Sequence, residues 1–216
     1  MTPRESAASA IPVAVFAKAP VPGEVKTRLV PLLGDIAAAE LHALLVRRAL
    51  ATAIKAALGP VELWCAPDRG HPFFDACSAE FGVALRDQRA GDLGERMIGT
   101  FASLLAGAPA ALLIGSAAPA LSPADLNAAA AVLRAGKVAV FQPAEDGGYV
   151  LVGLRRPVES LFRGVRWSTD DVWKETRARL ERSAIAWAAL ETRWDVDRPE
   201  DYKRLVASGL LTEQAA

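Results

Sequence analysis

Histidine, cysteine, methionine and tyrosine occur only twice each in this 216-residue chain, and neither charge sign prevails. His42 falls on an expected helix and His71 in a turn, and neither has the setting of a zinc ligand or a triad base. Cys65 and Cys77 form no Cys-x-x-Cys pair and read as buried thiols of a reducing compartment, not as a structural disulfide. Lys+Arg and Asp+Glu both number 25, so the formal net charge is zero. That excludes the broad basic field on which nucleic-acid binding depends, and any chemistry on anions must come from local charge. Long hydrophobic runs are also missing: none approaches the roughly eighteen residues of a membrane helix. Arg4, the run from Ala7 to Ala17 and Ala17-Lys-Ala19 imitate a secretory leader, but Glu5 and Pro12 interrupt the pattern. The chain is therefore expected to be cytoplasmic, without a membrane span. No internal repeat or linker divides it, so residues 1–216 read as one domain, with 1–10 flexible.

What is present is an alternation of strand and helix, the pattern of an α/β fold with a mainly parallel central sheet and helices on both faces. Ile11 to Ala17 reads as the first strand. Asp35 is placed to cap a long helix reaching Leu58, with Gly59 as its terminator. Strands follow at Val61 to Ala66, Val83 to Arg86, Ala110 to Ile114, Val138 to Phe141 and Tyr149 to Leu154. Helices are expected at Pro72 to Phe81, Asp92 to Ala106, and from Ser122-Pro123 to Gly136. Ser168 to Asp171 opens another, with Ser168 and Asp171 spaced as a capping box, and Ile185 to Leu190 reads as a late strand. Asp197 is placed to cap a short final helix.

Four segments carry residues suited to chemistry. The first is Phe16-Ala-Lys-Ala-Pro-Val-Pro-Gly-Glu-Val-Lys-Thr-Arg-Leu29, a stiff turn-rich loop after the first strand. Lys18, Lys26 and Arg28 place three cations there, the kind of group that neutralises a di- or triphosphate. The plain alternative is a solvated turn whose cations pair with Glu24 or water. The second is Gly115-Ser-Ala-Ala-Pro119 at the end of a buried strand, where open α/β sheets form their ligand crevice. Gly115 allows close backbone approach and Ser116 offers a hydroxyl; an ordinary strand-to-helix turn has the same composition. In the third, Glu145-Asp-Gly-Gly-Tyr149, the acids either shape a hairpin turn or meet a sugar hydroxyl, a base amine or a cation. The fourth is Trp194-Asp-Val-Asp197, whose two carboxylates share one side if the segment is extended. Trp167-Ser-Thr169 offers a ring for stacking beside a helix start.

Together these segments resemble an uncharacterised bacterial family of the nucleotide-diphospho-sugar transferase superfamily, of the type associated with radical-SAM enzymes. The long basic signature, Gly91-Asp-Leu-Gly-Glu-Arg-Met97, Glu145 to Tyr149, Trp167 to Thr169 and Asp195 to Asp201 match it in order. The resemblance implies a single-domain, Rossmann-like glycosyltransferase A fold and a transferase using an activated nucleotide. It places Lys18, Pro22, Gly23, Lys26, Thr27, Arg28, Gly115 and Ser116 on the nucleotide and its phosphates. Glu145, Gly147, Gly148, Tyr149, Trp167, Ser168 and Thr169 would meet sugar or acceptor, with Asp146 as the catalytic carboxylate. Asp195 and Asp197 would hold a divalent cation, magnesium or manganese. Glycosyl transfer from an NDP-sugar to a small-molecule acceptor is the leading expectation, and a homodimer is left open. The basic signature also resembles 2-phospholactate and molybdenum-cofactor guanylyltransferases, which makes nucleotidyl transfer the alternative. One departure stands out: where the family pattern Gly-Ser/Thr-Asp-x-Pro has aspartate, this chain has Ala117. Alanine cannot ligate a hard cation, so a degenerate nucleotide-binding protein is the third reading.

Overall fold

Five of the six residues of strand β1, Val13–Lys18, are buried, and Lys18 alone reaches solvent. Burial on both faces is why this segment is apolar throughout instead of alternating. The computed structural model describes residues 10–210; the expectations placed on residues 1–9 lie outside the described residues. Strand β1 pairs in parallel with β2 (Val61–Ala66) on one side and β4 (Ala111–Gly115) on the other, with Phe16 opposite both Trp64 and Gly115. The remaining strands are β3 (Ala84–Asp87), β5 (Ala139–Pro143), β6 (Tyr149–Leu154) and β7 (Trp187–Ala189). They complete a seven-stranded sheet in the order β3-β2-β1-β4-β6-β5-β7. Strand β6 alone runs against its neighbours, antiparallel to both β4 and β5.

Among the described residues six helices exceed a single turn: α1 (Asp35–Lys55), α2 (Pro72–Phe81), α3 (Leu93–Leu105), α4 (Pro123–Arg134), α5 (Val172–Arg182) and α6 (Pro199–Ser208). Alternation along β1 feeds two cores. Val13, Val15 and Ala17 pack with apolar residues of α1, α2 and α4, such as Leu50, Phe74 and Leu126. Ala14 and Phe16 face the other way, toward Met97 and Phe101 of α3 and Leu180 of α5. Cys65 and Cys77 are free and buried in the first core, as the composition suggested, and burial pushes the Cys65 thiol up to about 12.

Several local expectations give way to other contacts. Helix α1 is capped by Gly34 at φ 78°, so Asp35 is its first residue and meets the helix dipole from inside. The helix stops at Lys55, and the left-handed residue is Ala57, not Gly59. Gly59 instead lies so close to Ile11 that a Cβ would come within 3.0 Å of its backbone. No capping box forms at Ser168: Thr169 bonds back to the Arg166 carbonyl, and α5 begins only at Val172. Asp197 does not cap α6 either, because Asp201 reaches back to the Asp197 and Arg198 amides at 3.0 and 2.7 Å.

A buried ion pair ties the end of the sheet together. Asp125 of α4 closes a capping box with Ser122 and accepts from Gln142 at 2.9 Å and from Arg193 at 2.7 Å. Burial alone would raise its carboxyl, but bonds from Arg193, Gln142 and Ser122 outweigh it and hold it below the usual range. The Arg193 backbone in turn donates to the Pro143 carbonyl and accepts from the Glu145 amide, both at 3.0 Å. Asp125→Ala, which leaves half-buried Arg193 with the exposed Glu191 as its charged partner, is expected to cost about 3 kcal/mol in urea denaturation. Ser122→Ala, which loses the cap and one donor to Asp125 but leaves Arg193 paired, should cost about 1–2 kcal/mol.

Candidate functional site

The carboxyl ends of β1 and β4 and the turn between β5 and β6 open on the same edge of the sheet. A small third core brings the remaining parts to it. Leu29, at the end of the basic loop, packs with Leu41, Leu45, Trp194, Val196 and Leu205. Trp194 and Val196 point into that cluster, so the alternating residues Asp195 and Asp197 are left half-buried on the other side. The Val196 amide donates to the Ala117 carbonyl at 2.9 Å, and its carbonyl accepts from Lys26 Nζ at 2.5 Å. The basic loop, the strand-end turn and the acidic segment therefore meet at one residue, Val196.

The loop follows the expected turn chemistry. Glu24 closes a turn onto the Val21 carbonyl around Gly23 at φ 80°, and Lys26 itself is left-handed at φ 49° before a 3-10 turn at Thr27–Leu29. Pro22, Gly23, Thr27 and Arg28 are exposed, as is Lys18 at the end of β1. The Lys18 carbonyl accepts from buried His42 at 3.0 Å; burial and then the two nearby lysines hold that imidazole down at about 4. His42 is thus a neutral donor that pins the strand end. At the end of the neighbouring strand β4, Gly115 has open space: a Cβ there would meet nothing within 4 Å. Ser116 beside it is half-buried.

Charge is concentrated between loop and acids. Burial pushes the Lys26 ammonium below the ordinary lysine range, opposed by Asp197, Asp195, Asp201 and Asp146. Arg28 pairs with Asp197. Burial, and then Asp146 as the leading charged neighbour, raise Asp195 to about 6 against the pull of Lys26. Unlike its neighbours, the Asp195 carboxylate accepts no hydrogen bond among the described residues. Asp146 is exposed and accepts from the Gly148 amide at 2.9 Å, while Asp201 is committed to the α6 amides. Asp195, Asp197 and Asp146 are the groups available to a cation, although no three potential ligands are already gathered as a metal site among the described residues.

Other residues expected at the site lie apart from this charge cluster. Glu145 turns outward to Arg204, which holds both its oxygens at 2.7 and 3.2 Å and lies over the Trp194 ring. Gly147, at φ 87°, is wedged against the Asp170 carbonyl, and its own carbonyl accepts from Trp173. The Tyr149 ring packs edge-on against Phe141 and Trp167 in the second core. Among the described residues, its hydroxyl and Trp167 Nε1 are buried without a hydrogen-bond partner. Ser168 is left-handed at φ 64°. Sequence reasoning missed His42, Arg204 and the Asp125–Arg193 pair. Only Asp125 left a local signal, as the fourth residue of Ser122-Pro-Ala-Asp.

A family model described as an uncharacterized protein conserved in bacteria (DUF2064) matches residues 49–169. No curated protein matches the sequence. Among solved structures, the chain is similar to a candidate nucleotide-diphospho-sugar transferase of Desulfovibrio desulfuricans G20. Identity is 28% and the TM-score 0.83, over 92% of this chain and 87% of that one. It is also similar in fold to a cytidylyltransferase of Leptospira borgpetersenii, at 11% identity and TM-score 0.57 over 90% and 84% of the two chains. Glucosyl-3-phosphoglycerate synthase of Mycobacterium tuberculosis, solved with Mn²⁺, UDP and glucosyl-3-phosphoglycerate, is 12% identical with TM-score 0.53 over 98% and 82%. The seven-stranded, mostly parallel sheet is the glycosyltransferase A-like fold that the ordered motifs imply.

Asp195 supplies a test by pH. Its carboxyl titrates near 6 in the folded chain against an ordinary 3.8, so the folded state holds the extra proton between those values. Stability from this group is therefore present at low pH and lost as pH rises through about 6. Asp195→Asn is expected to melt higher than the parent at pH 8 and to converge with it below pH 4. A variant that melts lower at pH 8 would contradict the burial of an uncompensated carboxylate.

Proposed function

The chain belongs to the DUF2064 family of bacterial proteins, and from that premise we propose that it is a nucleotide-dependent transferase acting on an NDP-sugar and a small-molecule acceptor. The observation that carries this reading is the meeting of Lys26, Arg28 and the Asp195-Val-Asp197 segment around one residue, Val196, beside the open space at Gly115. Cations and carboxylates at one strand-end crevice suit a diphosphate with its counter-cation better than they suit a neutral ligand.

In this reading Lys26 and Arg28 bind the diphosphate and stabilise charge that develops on the leaving phosphate. Gly115 lets the nucleotide approach the backbone, and Ser116 donates a hydroxyl to phosphate or sugar. The exposed Asp146, held by the Gly148 amide, orients or deprotonates the acceptor hydroxyl. A divalent cation fits the donor set: Asp195 is a half-buried carboxylate without a hydrogen bond, kept partly protonated by burial and by Asp146. Asp195, Asp197 and Asp146 would hold it, and magnesium commonly completes such a shell with substrate phosphate oxygens. When bound, the cation supplies Lewis-acid stabilisation of the departing phosphate. Ala117 contributes no carboxylate, and its carbonyl is used by Val196, so the cation rests on fewer protein ligands than the family pattern provides.

Thermal-shift titration with nucleoside diphosphates, triphosphates and NDP-sugars, with and without Mn²⁺, tests the reading. Stabilisation by an NDP-sugar with Mn²⁺ is the expected result, and no shift across the panel at millimolar ligand would refute it. Lys26→Gln with Arg28→Gln should weaken retention at least about a hundredfold, the sum of two charge-assisted contacts. Release of pyrophosphate from a triphosphate, in place of a diphosphate from an NDP-sugar, would identify nucleotidyl transfer.

A further inference from the structure

Arg28 is the cation a diphosphate most needs, and here it is already paired within the chain, to Asp197. Asp197 is unencumbered by any structural duty, since Asp201 and not Asp197 bonds the amides that open α6. The pair stays open to solvent, with side chains 58% and 36% exposed, so an incoming ligand reaches both partners. Lys26, by contrast, is half-buried and anchored on the Val196 carbonyl.

This arrangement treats two kinds of anion differently. A bare phosphate approaching Arg28 must displace a fixed carboxylate and then leaves Asp197, now without Arg28, beside a new negative charge. A polyphosphate that brings its own divalent cation avoids that cost. The phosphate takes Arg28 while the cation takes Asp197, and each charge exchanges one partner for another. We propose, resting on the polyphosphate reading above, that Asp197 is a specificity-determining residue: it screens Arg28 from bare anions and admits di- or triphosphates chelated to a divalent cation.

Titration calorimetry with inorganic pyrophosphate, in EDTA and with Mg²⁺, tests this on the full chain. In EDTA, Asp197→Asn should bind pyrophosphate about fivefold more tightly than the parent, the scale of a partly exposed ion pair. The gain should vanish in an Arg28→Gln background, as a double-mutant cycle requires of a contact acting through Arg28. Asp195→Asn removes the same charge without releasing Arg28 and should give a smaller gain. Equal affinities of parent and Asp197→Asn in EDTA, or a gain that survives Arg28→Gln, would overturn the screening role and leave the polyphosphate reading intact. Failure of every variant to bind pyrophosphate, with or without Mg²⁺, would overturn that reading and the screening role with it.

Discussion

A single residue, Val196, connects the parts of the candidate site through the two peptide groups that flank it. Its amide is bound to the strand-end turn at Ala117 and its carbonyl to Lys26, while its side chain is sealed in a small core with Leu29, Trp194 and Leu205. Alternation along the chain then decides which residues face the crevice. With Trp194 and Val196 inward, Asp195 and Asp197 must lie opposite, next to the cations of the loop. Apolar burial thus sets the position of polar groups whose mutual electrostatics would not by themselves choose one geometry.

The cost of that arrangement is visible in the titrating groups. Lys26 is pushed down and Asp195 pushed up, both mainly by burial. Opposite charges close by do not restore either group to its ordinary behaviour, because desolvation outweighs the attraction. A polar ligand bringing charge of both signs would relieve both groups together. This is the pattern expected where folding energy is held back for binding.

Much of the architecture was legible in the residues. The continuous apolar run from Ala110 to Ile114 announced an inner strand, found at Ala111–Gly115, and Ser122-Pro123 and Asp92 announced helix starts that were found in place. Caps at Asp35, Ser168 and Asp197 were misplaced because a suitable side chain is only an offer. Gly34, Thr169 and Asp201 supplied alternatives the local pattern could not rank. Of the site, the basic loop and the two aspartates around Val196 could be read from composition and spacing. The inward turn of Tyr149 and Trp167 could not, since an aromatic at a strand mouth has the same letter whether it faces ligand or core. Nor could Arg193, whose partner Asp125 lies far away in sequence.

The reversed strand β6 has a mechanical consequence. Because it runs against β5, the chain leaves and re-enters the sheet at the crevice within the short turn between Pro143 and Tyr149. That turn is bolted down on one side by the Arg193 backbone and on the other by Gly147 lodged against Asp170. The facing loop is held instead by side chains, with Lys26 on the Val196 carbonyl and Leu29 in the third core. One wall of the site is thus set by main-chain contacts and the other by a side-chain anchor, so the place of Asp146 is independent of the side chain at residue 26, whereas that of the loop is not.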